Sequence, residues 1–213
     1  PTAIYTLSLH DALPICLINK SFLDPHSVLK TIRSKNLNRL IIAQLNINSL
    51  RNKFDSLVQI FDYNIDILLV SETKIDSSFP SAQFYIDGYT IFRRDRNSNG
   101  GGMILYIKDD IPANILDTNA SIESFYVEIN IRKKNWLIGC TYNPNQTLIS
   151  IHLKEIGKSL DLYSSKYDNF FLLGDLNSQP SEPTIKDFCQ LYNCKNIIKD
   201  NTCFKNVQNP SCI

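Results

Sequence analysis

Four apolar runs in this 213-residue chain each give way to polar side chains whose types could do chemistry. LIIAQL (residues 40–45) is followed by Asn46, ILLV (67–70) by Ser71 and Glu72, WLIGC (136–140) by Thr141 and then YNPN (142–145), and FFLLG (170–174) by Asp175 and Asn177. A strand that only had to stop could stop on Gly and Ser. Carboxylates and carboxamides suggest instead a site on the C-terminal lip of a sheet, where α/β folds bind ligands. Gathered on adjacent strand tips, such groups could hold a cation, orient water and donate to an anionic group. A single carboxylate after a strand is ordinarily a helix cap or a solvated loop residue, but four polar tips in this order are hard to obtain by chance.

These tips need elements to carry them. The runs at 67–70 and 170–173 are continuous in apolar residues, that at 40–45 is broken only by Gln44, and all three suit buried strands. After the first, Leu50, Phe54, Leu57, Val58 and Phe61 fall at helical spacing, with Ser49 as the N-cap. Residues 88–109 pair two strands across a loop that is basic and then Gly-rich. Residues 125–131 alternate apolar and polar, 132–135 form a basic turn, and 136–142 return as a strand. Residues 147–163 and 182–192 have helical patterns, the second with Pro183 in its first turn. Strands outnumber interspersed helices, so the chain reads as a sheet-rich α/β sandwich.

Composition narrows the class. With 43% hydrophobic and 20% charged residues the chain suits one globular domain with a substantial core. A formal net charge of +1 gives no global pull toward nucleic acid, so any such affinity must come from local patches. The six cysteines contain no CxxC pair, and Cys189, Cys194, Cys203 and Cys212 have no His nearby in sequence, which argues against zinc. The sequons at Asn119 and Asn145 would matter only in a secreted chain, and no secretion signal or membrane span is visible, so an intracellular compartment is expected.

The N-terminus reads differently. IYTLSLHDALPI (4–15) matches the in-frame translation of a common sequencing-library adapter, and residues 1–16 are expected to be foreign to the protein. Residues 17–38 are polar and weakly helical and suit a connector, which leaves 39–213 as the domain.

LNINSLRNKFDSL, LLVSETKID, GCTYNPN and LLGDLNS together resemble the endonuclease/exonuclease/phosphatase superfamily, and its apurinic-type endonuclease branch in particular. The phrasing NINSLRNKFDSL, SETKIDSSFP, GYTIFRRDR and GGGMILYIKDDIP is most similar to the endonuclease domain of non-LTR retrotransposon polyproteins. The resemblance implies a DNase I-like four-layer α/β sandwich, two mixed sheets flanked by helices, and Mg²⁺-dependent hydrolysis of phosphodiesters, with Mn²⁺ as an alternative ion. It implies double-stranded DNA as substrate, nicked so that the 3′-hydroxyl primes reverse transcription. A reverse transcriptase domain would then lie in the same polyprotein, and the protein would be nuclear when acting.

Carried over residue by residue, Glu72 would ligate the metal, with Asn46 beside it holding metal or phosphate. Asp175 would orient or deprotonate the attacking water, Asn177 would fix a phosphate oxygen or the metal-side network, and Tyr142 would donate to the phosphate with Asn145 supporting its loop. Arg93, Arg94 and Arg96, and Arg132, Lys133 and Lys134, could contact DNA phosphates or simply be solvated hairpin tips. The triple Gly100–Gly102 permits close approach to a ligand but lacks the Lys-Ser/Thr ending of a nucleotide-binding loop.

Two features depart from the family pattern. Asn48 is neutral where many members carry an acidic metal ligand. The family completes its site with a further Asp and a terminal Asp-His pair, whereas this chain stops at PSCI (210–213), so the last strands and last catalytic groups are expected to be missing and the fragment inactive as given. Neither His26, in the connector, nor His152, in a helical stretch, offers a substitute. A phosphatase or lipid phosphodiesterase of the same fold, or a catalytically dead relic serving as a binding module, are the competing readings.

Overall fold

The computed structural model describes residues 3–8, 25–116, 121–144, 147–163, 165–167, 169–179 and 181–198. Nine strands and four α-helices lie within them, in two sheets.

The first sheet has five strands in the order β1-β2-β3-β5-β4, formed by Ala3–Ser8, Ile41–Asn46, Ile67–Ser71, Met103–Lys108 and Tyr89–Arg94 respectively. Strands β1, β2 and β3 run parallel and β5 and β4 antiparallel, which makes the sheet mixed. The second has four strands in chain order: β6 (Ala113–Leu116), β7 (Ser124–Ile131), β8 (Lys134–Tyr142) and β9 (Asn169–Asp175). Its last pair, β8 and β9, is parallel, and the others are antiparallel.

Strand alternation sorts side chains into three apolar layers. Ile42, Ile67, Leu69, Met103 and Leu105 of the first sheet meet Phe125, Val127, Ile138, Cys140 and Leu173 of the second between the two sheets. The opposite face of the first sheet, with Ile41, Leu45, Leu68 and Tyr106, is covered by α1 (Pro25–Lys35) through Leu29 and by α2 (Phe54–Phe61) through Leu57, Ile60 and Phe61. Tyr126 and Leu137 on the outer face of the second sheet meet α3 (Ile149–Tyr163) and α4 (Pro183–Leu191) through Leu153, Ile156, Leu160 and Phe188. Helix, sheet, sheet, helix is the four-layer order of the DNase I-like fold. Coverage of both faces explains why β3 reads as an apolar run up to Ser71 and β2 as one interrupted only by Gln44 before Asn46.

Some local expectations shift. Helix α2 begins at Phe54, because residues 51–53 form a turn; Ser49 is not its cap but sits at φ +84°, and its backbone NH donates to the Glu72 carbonyl at 2.8 Å. Val58, on the expected apolar stripe, is exposed. The segment expected to be foreign supplies β1, paired to β2, and the segment expected to be a connector carries α1. No helix among the described residues is long and apolar enough to cross a membrane.

Candidate active site

Parallel pairing brings the strand tips level. Asn46 ends β2 opposite Ser71 of β3, and Tyr142 ends β8 opposite Asp175 of β9. Because Ile42, Gln44 and Asn46 alternate with outward Ala43 and Leu45, the Asn46 side chain faces the second sheet. There its Nδ2 donates to Glu72 Oε1 and to Asp175 Oδ2, both at 2.9 Å, which ties one sheet to the other. The Tyr142 hydroxyl donates to Glu72 Oε1 at 3.3 Å. Asp175 is fully buried, and its Oδ1 accepts from the Asn177 backbone NH at 2.9 Å. The Asn177 carboxamide donates to the Asn143 carbonyl at 2.7 Å, so it braces the YNPN loop against the Asp175 turn.

Five of the expected site residues therefore converge: Asn46, Glu72, Tyr142, Asp175 and Asn177. Asn145 lies outside the described residues. Asn46 turns its Oδ1 to the Asn48 backbone NH at 3.1 Å and presents its nitrogen to the carboxylates. Burial, and after it the Glu72 and Asp175 carboxylates, push the Tyr142 phenol up, so at neutral pH it keeps its proton and remains a donor.

The backbone at these tips is unusual. Asn48 (φ +45°), Glu72 (φ +52°), Lys74 (φ +52°) and Asn177 (φ +47°) are all left-handed, a conformation that non-glycine residues adopt seldom and that clusters at functional sites. Gly174 is required immediately before Asp175: at φ +151° a Cβ would stand 1.9 Å from the Thr141 carbonyl oxygen on β8. That close approach seats Asp175 beside Tyr142.

The arginines of the basic loop are each engaged within the chain. Arg93 donates to the Asp95 carboxylate at 2.7 Å and to the Phe79 carbonyl at 2.9 Å, and lies over the Phe84 ring. Arg94 donates to the Ser124 carbonyl, and burial lowers its pKa. Arg96 pairs with Glu123 at 3.2 Å and stays two-fifths exposed. Arg132 and Lys133, both left-handed, form the two-residue turn between β7 and β8. That turn is at the far end of β8 from Tyr142, roughly 25 Å along the strand at about 3.3 Å per residue.

Three residues near the site escaped the sequence reading. Asn143 is buried, and its amide holds the carbonyls of Thr147 and Leu176. Lys74 donates to Asn48 Oδ1 and lies 3.7 Å from Glu72 Oε2. Glu123, at the start of β7, accepts from Gly102 and Arg96. The ETK string (72–74) and the SIESF entry to a strand (121–125) carried no signal of these pairings, because a charge in a loop looks the same whether solvated or paired. His152 is buried; its Nε2 lies 2.6 Å from Thr141 Oγ1, and burial lowers its pKa to about 4, which keeps it neutral. Cys140, Cys189 and Cys194 are free thiols.

A hard divalent cation suits this donor set. Mg²⁺ needs only one or two carboxylates, with water completing the shell. Glu72 Oε1 and Asp175 Oδ2 share one donor nitrogen, so they are at most 5.8 Å apart, twice the 2.9 Å bond. Among the described residues no group of three or more His, Cys, Asp or Glu side chains that could hold a metal ion occurs.

The fold has known counterparts. The endonuclease domain of TRAS1, a telomere-specific non-LTR retrotransposon, superposes with a TM-score of 0.59 at 14% identity, covering 79% of each chain. The catalytic domain of human nocturnin gives 0.53 at 14% identity, covering 68% of this chain and 66% of that one. A 3′ phosphatase from Neisseria is matched over 65% of this chain and 58% of its own, at 16% identity and a TM-score of 0.48. This chain thus spans less than two thirds of the length of the nocturnin catalytic domain and of the Neisseria enzyme. At these identities the likeness concerns the fold alone. No curated protein matches the sequence. Residues 43–207, which include every strand tip of the site, match the Endonuclease/Exonuclease/phosphatase family, and to that family the chain belongs.

Proposed function

We propose that this chain carries the catalytic site of a Mg²⁺-dependent endonuclease that nicks double-stranded DNA, from the polyprotein of a non-LTR retrotransposon whose reverse transcriptase extends the exposed 3′-hydroxyl in the nucleus. The observation that carries this reading is the single Asn46 nitrogen shared by Glu72 of one sheet and Asp175 of the other. Such an arrangement costs repulsion between two carboxylates and is useful where positive charge or a proton must be handled between them. The family match supports hydrolysis of phosphate esters, and the motif wording with the TRAS1-like fold supports the retrotransposon branch.

Glu72, oriented by the Asn46 amide nitrogen, would hold Mg²⁺, which would supply a Lewis acid to offset charge on the phosphate oxygens. The protein's own groups divide the remaining work. Asp175, buried and fixed by Asn46 and the Asn177 amide, orients water and draws its proton. Tyr142, which keeps its proton, donates to the phosphate as charge builds. Asn177 holds the loop that presents Tyr142.

A substrate panel tests the reading. Supercoiled plasmid, inositol phosphates and sphingomyelin are each offered with Mg²⁺ to this chain and to the product of the full reading frame at its source locus. DNA nicking that disappears in Glu72→Gln is the expected result. Hydrolysis of the small or lipid substrates without nicking would overturn the DNA assignment, and binding of DNA without hydrolysis by either protein would favour a binding module.

A further inference from the structure

Glu123 is a buried carboxylate that the hydrolytic site does not use, yet it touches that site from three directions. Its backbone carbonyl accepts from the Tyr142 NH at 2.9 Å. Its side chain, 8% exposed, accepts from the Gly102 NH with Oε1 and from Arg96 Nη1 at 3.2 Å with Oε2. Gly102 and Gly101 in turn accept through their carbonyls from the backbone NH groups of Thr73 at 3.2 Å and Lys74 at 3.0 Å, the two residues after Glu72. The triple glycine is what lets the carboxylate in: a Cβ on Gly101 would lie 2.7 Å from both Glu123 oxygens, and Gly101 and Gly102 are left-handed at φ +66° and +84°. Arg96, so held, lies with its Cζ 5.9 Å from the centre of the Tyr142 ring, and its side chain is 39% exposed. Arg93 and Arg94, by contrast, are taken up by Asp95, Phe79 and Ser124.

We propose that Glu123 is a positioning residue that holds Arg96 across the Tyr142 ring, so that of the three loop arginines Arg96 is the cation that meets the DNA phosphate beside the hydrolytic groups. This rests on the nuclease reading. The physical logic is preorganisation. Arginine on a free loop must lose rotamer freedom on meeting a phosphate, whereas Glu123 and the Tyr142 face fix it beforehand and engage only part of its donor fork. Without Glu123 the guanidinium loses its direction, and Gly102 loses the acceptor that keeps the loop against the Glu72 turn.

The test is a double-mutant cycle of Glu123→Gln and Arg96→Ala in the complete chain, read as duplex DNA affinity by fluorescence anisotropy in EDTA at several salt concentrations. NMR shifts of the Tyr142 ring, assigned with Tyr142→Phe, provide a second readout. Arg96→Ala is expected to weaken binding about ten-fold and reduce the salt slope by about 1, and Glu123→Gln to weaken it about three-fold, as a charged hydrogen bond to a partner of the phosphate contact is lost. In the Arg96→Ala background Glu123→Gln should then have no further effect, and each single substitution should move the Tyr142 ring resonances in the same direction. A Glu123→Gln effect that persists undiminished without Arg96, or ring resonances that ignore Glu123, would overturn the proposal even where the unsubstituted chain binds DNA. If that chain binds no duplex at all, the nuclease reading fails and the proposal falls with it.

Discussion

Replacing Asn46 by Leu removes the one nitrogen that Glu72 and Asp175 share while keeping the side chain's bulk. In the parent, Nδ2 sits 2.9 Å from Glu72 Oε1 and from Asp175 Oδ2, so the two carboxylate oxygens are no more than 5.8 Å apart. At an effective dielectric constant of about 20 their repulsion is about 3 kcal/mol, and the amide dipole now opposes it. Leu leaves that repulsion unopposed and takes from fully buried Asp175 an acceptor contact, although the Asn177 NH remains. The loss expected at pH 7 in metal-free buffer is on the order of 3 kcal/mol, with the hydrogen bond that Asn46 no longer donates to Asp175 accounting for about 1 kcal/mol or more. Urea unfolding at pH 7, without and with millimolar Mg²⁺, measures it. The gap between parent and variant should narrow when millimolar Mg²⁺ is present. A gap under about 0.5 kcal/mol at pH 7, or one that millimolar Mg²⁺ leaves unchanged, would refute the reasoning.

His152 supplies a pH test. Burial depresses its pKa from 6.5 to about 4, so its contribution is complete above pH 6.5 and is lost as pH falls toward 4. Between pH 7 and 4.5 the parent should lose roughly 2–3 kcal/mol more than a His152→Leu variant does, and parallel slopes in urea unfolding would contradict the assignment. Gly174→Ala should lower stability by at least about 2 kcal/mol and blunt any hydrolysis, because its Cβ would enter the Thr141 carbonyl; an unshifted melting temperature is the opposing result. Residues 1–16 we propose to be adapter-derived, and a long read across the source locus should lack the codons for IYTLSLHDALPI; finding them in the locus would restore β1 to the native protein.

How much of this was legible beforehand depended on burial. Strands β2, β3 and β9 announced themselves because both faces of each sheet are covered, and the chemistry was readable because polar residues after such runs must project from a rigid edge. Loop charges carried no comparable signal. Arg93, Arg94 and Arg96 form one basic cluster in the sequence, yet Asp95, the Ser124 carbonyl and Glu123 give each a different partner. Asn143, Lys74 and Glu123 were missed for the same reason, since their roles depend on who sits opposite across a sheet or loop. Ser49 had the composition of a helix cap, but the Glu72 carbonyl captured its backbone first and the helix began five residues later. The short strand β6 gave no alternation strong enough to separate it from the loop around Pro112.

The most direct test is supercoiled-plasmid nicking with Mg²⁺ by the product of the complete source reading frame, comparing the unsubstituted protein with Glu72→Gln, Asp175→Asn and the double variant. If the two carboxylates act as one unit through Asn46, each single substitution should lower the rate by at least about 100-fold, and the double variant should be little worse than either. Nicking that survives both substitutions would show that the strand tips do not hold the chemistry.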